Sequence, residues 1–430
     1  MSTVVNQAYQ NADAKPAIPQ KEHQLIIEPT SHSPSDGSPV TSGSRIEWLN
    51  IPTSSSANGS FISVAQSFIK IKVKMTVATG ANKTGRFTSI GVHGLIDRVQ
   101  VNSSSYPVED TQHYNMLYKM LQDMNTGEDK YAGTTKILEG IEDGHRGVTF
   151  NKSADDDIET ETKTFIVPLV GQFWNSVSGY MPVHNVTDLS YRLTLVPASQ
   201  GGVSVSADAD YKDFHITECN LHLTYVEMSP QSRDMIASKV GNSWSGSSYE
   251  MLRDTLPNQA NFTHKIPSTK SSCKSISISY HDPTRLSGNQ ANEDCTARYD
   301  PNIQRVQFSV NSVLYPANPV EGREQQLAQT LNAFHILHSH NNKITAFGKA
   351  TPSKTTDPAS DQYLISQSLE AHGMSNKAFS GVSTLAQNPM CLINANPAKN
   401  NGNLLTSDVF YYVNYDTRYE IQNGVIRVSY

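Results

Sequence analysis

Three stretches carry residue types that could do chemistry. The run "HILHSH" places His335, His338 and His340 within six residues, and closely spaced imidazoles are common zinc ligands. No cysteine or acidic residue flanks them in sequence, so the trio lacks the rest of a ligand set and no metal site is assigned. The run "DDDIETE", Asp155 to Glu161, clusters carboxylates of the kind that hold calcium, but it lacks a loop glycine. It reads as a solvated acidic loop. The tryptophans are Trp48, Trp174 and Trp244; sugar-binding or sugar-cleaving sandwiches normally place tryptophan in the site. Trp48 and Trp174 stand at strand entries, where core packing accounts for them, and Trp244 lies in a Ser/Gly-rich stretch.

The four cysteines, Cys219, Cys273, Cys295 and Cys391, are scattered without C-x-x-C spacing and are expected to be reduced thiols. Sequons such as those at Asn82 and Asn185 are then chance in a Ser/Thr/Asn-rich chain. Glycine-rich phosphate loops, GxSxG, HExxH and a Cys/His nucleophile pattern are all absent. No catalytic, cofactor-binding or metal residue is therefore assigned, and no enzyme activity is expected. A carboxylate pair for sugar cleavage stays open, because Asp and Glu occur throughout.

The elements that would position any site are strands. A length of 430 residues fits two domains. The charged share of 17% is low, with Ser, Thr, Asn and Gln filling the gap, as in loop-rich β proteins. A net charge of −6 argues against wrapping a nucleic acid, which needs clustered Lys and Arg. No run of about 18 apolar residues exists to cross a membrane. The first twenty residues lack a basic start and an apolar stretch, so no secretory signal is expected and synthesis in the cytosol is.

In "FIKIKVKMTV", Phe68, Lys70, Lys72 and Lys74 alternate with Ile69, Ile71, Val73 and Met75, the period of two that a half-buried strand requires. "TFIVPLV", "LSYRLTLV", "ECNLHLTYVEM" and "CKSISISY" read as further strands. "TQHYNMLYKMLQDM" is the helical exception, with Tyr114, Leu117, Tyr118 and Leu121 at i, i+3, i+4 and i+7. The ending reads as two strands around an Asn423-Gly424 turn.

One segment occurs twice. "IDRVQV" at Ile96 to Val101 returns as "IQRVQF" at Ile303 to Phe308, each followed by a Tyr-Pro pair, charged residues and a helical stretch. This order predicts an internal duplication, with the two copies in equivalent strands. The expected division is a flexible, non-basic arm over 1–44, a first sandwich over 45–229, a linker over 230–260 and a second sandwich over 261–430. The stretch 340–400, rich in Asn, Ser, Pro and Lys, reads as one long exposed loop. The fold class is all-β: two consecutive jelly-roll β-sandwich domains with short helices in the loops.

Four segments in order carry a resemblance: "SRIEWLNIPTSSSANGSFISVAQSFIKIKVKM", "GLIDRVQVNSSSYPVEDTQHYNMLYKML", "FIVPLVGQFWNSVSGYMPVHNVTDLSYRLTL" and "ITECNLHLTYVEMSPQ". Together they resemble the double jelly-roll major capsid proteins of double-stranded DNA viruses, the lineage of adenoviruses, virophages, polinton-like viruses and tailless membrane-containing phages. The resemblance covers nearly all of the first roll; the repeat and the closing strands support the second. Short loops here depart from the towered members, which puts decorating towers in doubt. The resemblance implies a capsid subunit that assembles with itself into pseudo-hexagonal homotrimers of an icosahedral virion shell. It also implies penton and minor capsid proteins as partners, an internal membrane beneath the shell in some members, and no sequence-specific nucleic acid binding. The alternative is a two-domain carbohydrate-binding or glycan-degrading sandwich.

Overall fold

The computed structural model describes residues 19–31, 39–53, 60–80, 83–125, 133–142, 146–152, 158–177, 180–183, 185–204, 210–232, 243–256, 261–281, 283, 294–337, 344, 347, 362–370, 379–395 and 407–430. The first roll contains β1 (Pro19–Ile27), β2 (Arg45–Trp48), β3 (Ser60–Ser63), β4 (Phe68–Val77), β5 (Ile96–Ser103) and β6 (Tyr106–Thr111). Helix α1 (Tyr114–Asn125), β7 (Lys163–Pro168), the short helix α2 (Gln172–Asn175), β8 (Leu189–Leu195) and β9 (Tyr211–Met228) follow, beside further short strands and helical turns. The second roll contains β10 (Ser243–Leu256), β11 (Asn261–Lys265), β12 (Cys273–His281), β13 (Ile303–Val310), β14 (Val313–Glu321) and α3 (Arg323–Ala333). It ends with β15 (Ile365–Ser368), β16 (Met390–Ala395), β17 (Ser407–Gln422) and β18 (Val425–Ser429).

Each roll is built on a pair of antiparallel sheets, and the first carries in addition a three-stranded sheet of residues 84–86, 149–151 and 203–204 and a two-stranded one of residues 141–142 and 146–147. In the first, one sheet runs β7-β4-β9-β3 and on to Tyr180–Met181, with β1 and Val40–Thr41 also on β9, and the other runs β2-β8-β5-β6. In the second, the sheets run β15-β12-β17-β10, with β18 also on β17, and β11-β16-β13-β14. The two rolls correspond strand for strand in chain order, with β1 on β9 matching β10 on β17 and β5 matching β13. Each of the latter is followed by a hairpin partner and a helix, while β3 and β18 are additions to one roll each. The duplication read from the repeat is therefore present in the topology.

The repeat also preserves a local irregularity. Opposite β8, Thr194 pairs with Arg98 and Leu195 with Ile96, so Asp97 is the extra residue of a bulge. Opposite β16, Asn394 pairs with Arg305 and Ala395 with Ile303, which makes Gln304 the extra residue. An extra residue at the same place lets Ile96 and Val99, three apart, both point inward. Ile303 and Val306 do the same.

The alternation of β4 is realised: Ile69, Ile71, Val73 and Met75 are buried while Phe68, Lys70, Lys72 and Lys74 are half-buried. The closing hairpin is as expected, with positive φ at both Asn423 and Gly424, the geometry that Asn-Gly supplies.

Three expectations are corrected. Residues 19–27, placed in a flexible arm, form β1 on the edge of β9, with Ile27 opposite Leu221 and Glu22 opposite Val226. Backbone hydrogen bonds to an existing edge need no apolar alternation, so composition missed the strand. Residues 1–18 and 32–38 lie outside the described residues. Within the expected linker, β10 is a 14-residue strand laddered to β17 from Ser243–Glu420 to Leu256–Ser407. Within the expected loop at 340–400, β15 pairs with β12 and β16 joins β11 to β13.

Candidate functional site

The residues singled out for chemistry are engaged structurally. His335 Nε2 lies 2.7 Å from Glu370 Oε2, while His338 and His340 lie outside the described residues. Glu159 pairs with Lys74 and lies 3.5 Å from His215, and Glu161 pairs with Lys163 at 2.9 Å; Asp155 to Asp157 lie outside the described residues. Among the described residues, no group of three or more His, Cys, Asp or Glu is arranged to hold a metal.

All four cysteines are free and buried. Burial pushes the Cys273 thiol up to about 12, which suits an inert core residue. Trp48 stacks on Tyr191 and donates its indole N–H to Ile27 O at 3.1 Å. Trp174 packs edge-on against Tyr191 and Phe173. Trp244, assigned no strand from sequence, is buried in β10.

Two open cavities stand out among the described residues. A depression of about 600 Å³ lies on the outer face of β11, β16 and β13, lined by Asn261, Thr263, Arg305, Gln307 and Leu392 among others. A second, of about 390 Å³, lies between β6 and β10. Its carboxylates are all committed. Glu109 accepts from the Gln172 and Phe173 backbone N–H groups, each at 2.8 Å, and from the Thr111 hydroxyl. Burial nonetheless raises the Glu109 carboxyl above its ordinary range. Asp110 takes both guanidinium contacts of Arg98 at 2.6 Å, and Glu250 accepts from Ser268 and faces Lys270 at 3.4 Å. No tryptophan lines either cavity, though Tyr249, Tyr415 and Tyr430 line the second.

The densest chemistry lies at the seam between the rolls. Trp244, Tyr419, Ile421 and Ile426 of the second roll are buried in one cluster with Phe173 and Trp174 of the first. Trp244 stacks on Tyr419 with centroids 5.4 Å apart and donates to Ser176 Oγ at 3.0 Å. The Gln172 side chain bonds both backbone groups of Tyr249, as a neighbouring strand would.

Helix α1 makes the second half of the seam. Met116, Leu117, Met120 and Met124 cluster with Cys295, Leu364, Phe410 and Tyr412 of the second roll. The Lys119 ammonium lies 2.9 Å from Asp123 Oδ1, and Arg298 Nη2 lies 2.6 Å from Asp123 Oδ2. Sequence periodicity found the stripe that packs Tyr114 and Tyr118 on the first roll's core and sends Leu117 and Leu121 into the seam cluster. It missed the second buried face, because a polar pair at i, i+4 reads as solvated.

The second roll carries an acid-sensitive group. His264 is buried, with Nδ1 2.5 Å from the Tyr411 hydroxyl and Nε2 3.3 Å from that of Tyr280. Burial lowers its pKa to about 4. The neutral ring is favoured in the fold, so stability is fully present above the unfolded value near 6.5 and is lost as pH falls toward 4. The loss should amount to about 3 kcal/mol. Urea unfolding at pH 7 and pH 4.5 should show it, and His264→Gln should flatten that part of the profile.

No protein-family model and no curated protein matches the chain. Solved structures do match. The PBCV-1 virus capsid aligns over 98% of this chain and 99% of that one, at 13% identity and a TM-score of 0.60. The Faustovirus major capsid protein aligns over 96% and 92%, at 9% identity and 0.61. The mavirus major capsid protein aligns over 98% and 93%, at 11% and 0.55.

The fold is the double jelly roll. The likeness takes in both rolls, because the alignments span nearly all of both chains. In the double jelly roll, the two sandwiches are one body here: apolar clusters and a buried ion cluster cross from one to the other.

Proposed function

We propose that the protein is a major capsid subunit that builds an icosahedral virion shell from pseudo-hexagonal homotrimers. The observation that carries this reading is the end-to-end structural likeness to capsid proteins, covering 98% of this chain and 99% of the PBCV-1 chain. A rigid two-roll tile is the mechanical requirement for such a shell, and the seam supplies it. The virion is the expected location, penton and minor capsid proteins are expected partners, and no enzymatic role is expected.

The duplication supports self-assembly independently. Each roll has a helix flank and an edge-strand flank. The chain's own seam uses the helix flank of the first roll, α1, against the edge-strand flank of the second, β10 and β17. The helix flank of the second roll and the edge-strand flank of the first are left over. On α3, counting from the first residue of each helix, the places of Met116, Lys119, Met120 and Asp123 are taken by Gln325, Ala328, Gln329 and Asn332. All four are uncharged, exposed or half-buried, and can be covered without stranding a charge. On β1, Leu25 is 36% and Ile26 61% exposed, beside an edge whose backbone is open to pairing among the described residues. Two unlike leftover flanks make a head-to-tail contact, which closes a three-membered ring when each copy is turned by about 120° from the last.

A short bis-maleimide tests this in Ile26→Cys, Asn332→Cys double variants, since the native cysteines are buried. Covalent dimers and trimers are expected from the double variant and not from either single one. Trimers in solution that do not cross-link would refute the choice of flanks. Absence of any oligomer would refute the capsid reading itself.

A further inference from the structure

We propose that the seam between the rolls contains a binding site for a small monovalent anion of the halide class, held by Arg298 from the second roll and by the polar stripe of α1. Asn115, Lys119 and Asp123 follow one another at i, i+4 and i+8 on α1, with Gln122 beside them, and all four are buried. Lys119 is 3%, Asp123 1% and Arg298 1% exposed. The two cations share a single carboxylate, and Gln362 adds only a neutral donor to Asp123 Oδ1 at 3.4 Å. One positive charge is thus left without a counter-charge among the described residues, in a place where an isolated charge is costly.

The hydrogen-bond balance points the same way. Arg298 spends Nη2 on Asp123, and its Nε and Nη1 have no acceptor. The amide nitrogens of Asn115 and Gln122 also have none, and against these four donors stands one unpartnered acceptor, Gln122 Oε1. Surplus donors from both rolls, joined to surplus positive charge, call for an acceptor that carries charge. Water would satisfy the donors but leave the charge. A halide satisfies both, and it would tie α1 to the second roll across the seam.

The test uses the full chain and two probes, chloride and bromide. Thermal unfolding is followed in sodium chloride against sodium gluconate at matched ionic strength. A saturable rise in midpoint of about 3 °C or more is expected with chloride. Arg298→Lys, which keeps the charge but removes Nε and Nη1, should lose that rise. Crystals of the unaltered protein soaked in bromide should show an anomalous peak at hydrogen-bond distance from Arg298 Nε or Nη1, a readout independent of whether the variant folds. A midpoint indifferent to chloride, or bromide-soaked crystals with no such peak, overturns the proposal and leaves the site to water.

Discussion

Asp123→Asn is expected to destabilise the protein by about 3–5 kcal/mol, the usual cost of removing one partner from a buried ion cluster. The carboxylate accepts from Lys119 and Arg298 at 2.9 and 2.6 Å with virtually no solvent access. Asparagine fits the space but cannot neutralise either cation, so the cluster would lose the one carboxylate that the two share. Lys119→Met should cost much less, because it leaves the neutral Arg298–Asp123 pair intact. Denaturant unfolding of the two variants separates these outcomes. A cost below about 1 kcal/mol for Asp123→Asn would mean that the cluster contributes little to holding the rolls together.

Trp244→Ala is expected to cost about 3–5 kcal/mol, as other large-to-small changes in packed cores do. The indole is 4% exposed, stacks on Tyr419, approaches Phe173 with centroids 6.3 Å apart and satisfies its N–H on Ser176. Its removal opens a cavity at the place where the two rolls share a core. The loss should therefore appear as reduced coupling between the rolls, with a second unfolding step emerging in calorimetry. A single sharp transition, shifted by less than about 1 kcal/mol, would show that the seam tolerates the cavity.

These two residues also show what could be read from the chain. Strands whose one face meets a core were legible, because burial enforces alternation: β4 and the repeated β5 and β13 are examples. The repeat even carried the shared bulge at Asp97 and Gln304. Edge strands were not legible, since β1 and β10 are held by their ladders to β9 and β17 rather than by a periodic apolar face. Trp244 was consequently read as part of a linker.

The seam was illegible for a different reason. Lys119 and Asp123 look like an ordinary surface pair until a second roll, contributing Arg298 from 175 residues away, covers them. Met116, Met120 and Met124 likewise fall off the stripe that predicts the helix. Contacts between duplicated halves depend on how the halves dock, and one roll's periodicity holds no record of that.

The most direct test of the central claim is the mass of the purified protein by light scattering at low concentration, with and without a chelator. The capsid reading predicts a stable homotrimer of the 47.3 kDa chain, unchanged by the chelator. A persistent monomer, or a trimer that falls apart when metal is removed, would contradict it.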